Sequence, residues 1–107
     1  MELENIVVQF QSNKDVQSTI KIGFCREWTK AVILFVRRKF PSVKVEAREV
    51  DITPNLQHTF VRLTCVGSDS IICDGVGTIG HEPYFGPESE APEHLQNSKS
   101  DMINKYL

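Results

Sequence analysis

The chain has 107 residues, 40% of them hydrophobic and 24% charged, and a net charge of −2. That is the ordinary size of one domain, long enough to bury a core without metal or disulfide staples, and the composition excludes wholesale disorder and fibrous repeats. The longest apolar run, residues 31–36, is about a third of the ~20 residues that a membrane-spanning helix needs.

Residues 5–11 alternate, with Ile6, Val8 and Phe10 on one side, and residues 19–24 do the same with Ile20, Ile22 and Phe24. Both read as half-buried strands, and Ser12-Asn-Lys-Asp15 between them is turn chemistry, so an N-terminal strand or hairpin is expected. From residue 26 to 40 the period changes to that of a helix. Trp28, Ala31, Val32, Phe35 and Val36 fall on one side and Arg26, Lys30 and Arg37 on the other. Pro41 ends this helix, because proline disfavours helical geometry at the residue before it.

Val43, Val45 and Ala47 alternate with polar residues and predict a further strand, broken at Thr53-Pro54-Asn55. A hairpin is expected over 59–74, from the strand at 59–66 through Gly67-Ser-Asp-Ser70 into Ile71-Ile72-Cys73. Residues 75–97 are rich in Gly, Pro and Glu and read as a surface loop or extension. Ser98-x-x-Asp101 resembles a capping box and predicts a short C-terminal helix within 98–107.

These elements describe one α/β domain of the α+β sandwich kind. A mixed sheet of four to five strands is expected against one long central helix and a short terminal one. The charge is uneven: residues 1–50 hold nine Lys/Arg against six Asp/Glu, and residues 51–107 hold three against eight. An acidic second half weighs against a nucleic-acid partner, whose footprint is usually a concentrated basic face.

Few residues carry a chemical signal. Cys25 falls where a predicted strand meets a helix N-terminus, a place where backbone N–H groups and the helix dipole favour a thiolate, with Arg26 adjacent. Cys65 and Cys73 lie in apolar runs and read as small hydrophobes. The odd count of three cysteines fits a reducing compartment. Gly75-x-Gly77-x-x-Gly80 matches the dinucleotide fingerprint as a string, but His81-Glu82-Pro83 follows where a helix should open, so the stretch reads as a glycine-rich turn. His81, Glu82, Glu93 and His94 lack the fixed spacing of a metal site and read as a solvated loop. No cofactor or metal is called for. Arg26, Lys30, Arg37, Arg38 and Lys39 form a basic helix face suited to an acidic partner.

The stretch running through Phe24-Cys25, Phe40-Pro41, Thr53-Pro54, Val61-x-Leu63-x-Cys65-x-Gly67 and Ile71-Ile72 resembles the small selenoprotein-W-like redox family, which implies a thioredoxin-like fold. That family carries a second redox residue where this chain has Trp28 of Cys25-Arg-Glu-Trp28. Arg48-Glu49, Asp51-Ile52 and Pro54-x-Leu56 are similar to a second thioredoxin-like family. It is shared by a mitochondrial ribosomal protein and a complex I accessory subunit, and its members are structural. Phe60 and Asp74-Gly-Val-Gly77 also resemble parts of a double-stranded RNA-binding domain.

The expected function is a non-catalytic interaction or structural subunit of a larger protein assembly, docking through Arg26, Lys30, Arg37, Arg38 and Lys39. One alternative is a thiol oxidoreductase or redox sensor using Cys25, and a second is an RNA-binding module. The N-terminus Met-Glu-Leu-Glu-Asn carries acids where a leader carries bases, so an intracellular place is expected: cytoplasmic, nuclear or mature organellar.

Overall fold

A computed structural model describes residues 3–17, 25–64, 67, 69–78 and 80–107. Among them the chain is an α+β domain in which helices cover a five-stranded antiparallel sheet. No helix among the described residues is long and apolar enough to cross a membrane.

The chain opens with α1 (Leu3–Gln11) rather than with a strand. Ile6, Val7 and Phe10 are buried while Val8 is 59% exposed, which is helical spacing; alternation at Ile6 and Phe10 fits either period, and Val7 and Val8 decide between them. The turn expected at 12–15 instead opens a helical stretch at 14–17, where the Asn13 Oδ1 accepts the N–H groups of Asp15 (3.0 Å) and Val16 (3.2 Å). The strand expected over 19–24 lies outside the described residues.

Helix α2 (Cys25–Lys39) follows and matches its predicted span to a residue at each end. It buries Trp28, Thr29, Val32, Ile33 and Val36 against the sheet. Phe40 closes it by donating its N–H to the Val36 carbonyl at 2.7 Å, and Pro41 takes the chain away.

Strand β1 (Lys44–Thr53) turns at Pro54-Asn55 into β2 (Leu56–Thr64), and the two form the longest pairing, running from Lys44↔Thr64 to Val50↔His58 and beyond. β2 pairs with β3 (Ile71–Asp74), and β3 pairs with β4 (Tyr84–Pro87). Two residues of β5 (Lys99–Ser100) pair with β1, giving the order β4-β3-β2-β1-β5. Each described pairing is antiparallel, in place of the mixed sheet expected.

Strand β2 is central, and its two faces serve two cores. Val45, Ala47, Val61, Leu63 and Cys73 pack with α1 and α2, while Val50, Phe60 and Ile72 pack with Ala91 and Leu95. The second core explains why residues 75–97, expected as a loop or extension, are built into the domain. They hold β4 and the 3₁₀ turns Glu88–Glu90 and Glu93–Leu95, with Arg62 tying Glu46 to Glu88. Two apolar anchors suffice where the sheet offers an apolar face.

The terminal helix is a 3₁₀ turn, Met102–Tyr106, preceded by β5. Its cap is Asp101, whose Oδ1 accepts the Ile103 N–H at 2.8 Å, rather than Ser98, which bonds Arg48.

Candidate functional site

Cys25 is the first residue of α2 and is only half-buried. The start of β2 faces it with His58 and Thr59, both buried, and β3 ends beside them at Asp74, also buried. The sheet register brings His58 and Asp74 together: carrying Val61↔Cys73 one step further sets Asp74 beside Phe60, two residues from His58 and on the same face.

His58 Nε2 meets Asp74 Oδ2 at 2.9 Å. The other Asp74 oxygen, Oδ1, accepts the Gly77 N–H at 3.0 Å, so the carboxylate is held from both sides. The Cys25 thiol lies beside the His58 side chain and the Thr59 backbone, both of which favour its ionised form. With Nε2 engaged by Asp74, Nδ1 is the ring nitrogen left for sulfur. Phe60 stacks on the ring at 6.3 Å and 27°, which fixes its plane.

The electrostatics follow from these contacts. Burial is the largest influence on His58 and disfavours its charge. Hydrogen bonds to Asp74 and Cys25, and their negative charges, outweigh it and raise the imidazole from 6.5 to about 9. Burial is also the largest influence on Cys25 and raises it. The His58 hydrogen bond, the Thr59 N–H and the imidazolium charge overcome that and hold the thiol below its ordinary value. The result is a thiol whose ionisation is eased by an imidazolium that a carboxylate orients.

A second network braces the same place. Thr59 donates its hydroxyl to Asp101 Oδ2 at 2.8 Å, and Arg26 reaches that oxygen at 3.5 Å and Glu49 at 4.0 Å. The C-terminal segment thereby holds the residue whose N–H meets the sulfur. Arg26, expected to favour the thiolate directly, turns to these carboxylates instead.

The other basic residues do not gather here. Lys30 pairs with Glu27 at 3.6 Å, and Arg37, Arg38 and Lys39 are exposed at the far end of α2, roughly 16–20 Å along the axis from Arg26 at the usual helical rise. Gly75, Gly77 and Gly80 lie in a turn, with Gly77 and Gly80 at positive φ (74° and 76°). The His81 and His94 rings stack at 3.7 Å, and among the described residues no group of three or more His, Cys, Asp or Glu is arranged to hold a metal.

The sequence points to Cys25 but not to His58 or Asp74. The order Cys, His, Asp along the chain, with the Cys at a helix start and the Asp ending a strand, is the signal available for them. Comparison with protein-family models, with curated proteins and with solved structures found no match.

Proposed function

We propose that this chain transfers acyl groups through a thioester on Cys25. The observation that carries the reading is His58, held between the Cys25 sulfur and the Asp74 carboxylate. A nucleophile bonded to a base that a third group orients is the arrangement by which acyl transfer is recognised on unrelated folds.

In this reading Cys25 Sγ attacks, as the thiolate, the carbonyl carbon of an ester or amide. The C–S bond forms as the leaving oxygen or nitrogen departs with the proton of the His58 imidazolium. Water or an amine then attacks the thioester, His58 takes its proton, and Cys25 leaves as thiolate beside the restored imidazolium. The first backbone N–H groups of α2 have no intrahelical acceptor and are suited to the carbonyl oxygen as it becomes negative. Asp74 keeps the ring in the required orientation throughout.

The test is incubation with a chromogenic ester, followed by mass spectrometry. The expected result is a burst of leaving group and an acyl adduct on Cys25. His58→Ala and Asp74→Asn should each lower the rate of acylation by about 10²–10⁴-fold. No adduct, together with alkylation of Cys25 at the pH of an ordinary thiol, would overturn the reading. A redox role would use the same thiolate, and its product would be a sulfenic acid or mixed disulfide instead.

Docking to an acidic partner remains a second reading, supported by the exposure of Arg37, Arg38 and Lys39 in the last turn of α2. It predicts that the native protein elutes within a larger complex and that reversing those three charges releases it. Unchanged elution of the charge-reversed protein would overturn it.

A further inference from the structure

We infer that Trp28 is a positioning residue, its indole acting against Gly75 as the spacer between the helix that bears Cys25 and the strand end that bears Asp74. The inference rests on the acyl-transfer reading and adds to it what sets the distance between its two outer groups.

Trp28 stands three residues after Cys25, so the two side chains share one side of α2. Gly75 directly follows Asp74. A Cβ built on Gly75 would lie 2.4 Å from Trp28 Cε2 and Cζ2 and 2.7 Å from Nε1. The indole thus occupies the volume that any other residue at 75 would need. Carbon atoms in contact sit ~3.5–4 Å apart, so any larger residue there must drive helix and turn apart by roughly 1 Å.

The indole has little freedom to yield. It is 1% exposed, and Phe10 of α1 and Phe85 of β4 meet it edge-on at centroid distances of 6.0 and 6.2 Å. The turn is equally constrained, because Gly77 returns to Asp74 Oδ1 with φ at +74°, where a side chain would be strained and a Cβ would meet the His81 carbonyl at 2.9 Å. A change in the Trp28–Gly75 spacing must therefore be taken up by the neighbouring groups: Cys25 at the start of α2, His58 on β2 and Asp74 at the end of β3. This assigns a purpose to the first two glycines of the string 75–80: one admits the indole and the other anchors the carboxylate.

The experiment follows the rate of Cys25 alkylation by iodoacetamide against pH in four proteins: wild type, Gly75→Ala, Trp28→Phe and Phe85→Leu. Circular dichroism monitors folding. Trp28→Phe and Phe85→Leu both remove volume from the same aromatic cluster, but the three atoms nearest a Cβ at 75 all belong to Trp28. The expected result is about tenfold slower alkylation at neutral pH for Trp28→Phe and for Gly75→Ala, the thiolate fraction changing tenfold per pK unit. Phe85→Leu should keep the wild-type profile. Equal profiles for Trp28→Phe and Phe85→Leu would show the indole to be ordinary core and overturn the inference, whether or not Gly75→Ala folds. A wild-type profile that is itself that of an ordinary thiol would overturn the acyl-transfer reading first, so the two failures are distinguishable.

Discussion

Cys25 and Cys73 are the same side chain in two surroundings. Cys25 opens a helix, half-exposed, with an imidazolium and a backbone N–H directed at its sulfur. Cys73 sits within β3 opposite Val61, fully buried among aliphatic side chains, where desolvation pushes its thiol far up and the neighbouring Asp74 charge pushes it further. Burial alone raises both. What separates them is that Cys25 has donors to stabilise a negative sulfur and Cys73 has none of the same kind.

Serine substitution separates the two cysteines most directly. Cys25→Ser should reduce acylation to background, a loss of about 10³-fold or more, while leaving the melting temperature near wild type. Cys73→Ser should do the reverse: acylation kept, and stability lowered by about 1–3 kcal/mol for burying a hydroxyl without a ready partner. Thermal melts and burst amplitudes measured on both variants decide it.

Changing pH sharpens the contrast. Acylation should rise as Cys25 ionises, below the ordinary thiol range, and fall near pH 9 as His58 loses the proton that the leaving group needs. The sign for stability follows from the raised pKa. Folded His58 holds its proton more tightly than the unfolded chain does, so its contribution is complete below about pH 6.5 and lost as pH rises through about 9. Asp74→Asn should move the alkaline limb toward lower pH, and a limb that stays near 9 in that variant would mean another group titrates there.

The smallest effects lie around the site. Asp101→Ala leaves the Thr59 hydroxyl and the Ile103 N–H without their acceptor and should cost about 1–3 kcal/mol in chemical denaturation. Arg38→Ala, on the exposed end of α2, should stay within about 0.5 kcal/mol.

Much of the fold is legible residue by residue. The helix at 25–39 follows from charges at helical spacing and from Pro41, and the strands at 44–53 and 71–74 from alternation and bounding turns. Residues 5–11 are misread as a strand because Ile6 and Phe10 satisfy both periods, and only packing on α2 selects Val7 for burial over Val8. Residues 75–97 look like a loop because their composition is polar. Their order comes from Ala91 and Leu95 meeting Phe60 and Ile72 across the sheet. In the site, Cys25 is visible from its place at a helix start, whereas His58 carries no signal of its own and Asp74 enters only as the end of the 59–74 hairpin and in a resemblance that concerns RNA.

The α+β class, the long helix, the central hairpin and a thiol at a helix N-terminus can be read from the chain alone. Periodicity, turn residues and the helix dipole act between neighbours a few residues apart, and neighbours are what a sequence displays. The meeting of Cys25, His58 and Asp74 depends on the β2–β3 register and on how closely Trp28 lets α2 approach Gly75. Those are contacts between residues far apart in the chain, and they exist only once the helix has packed on the sheet.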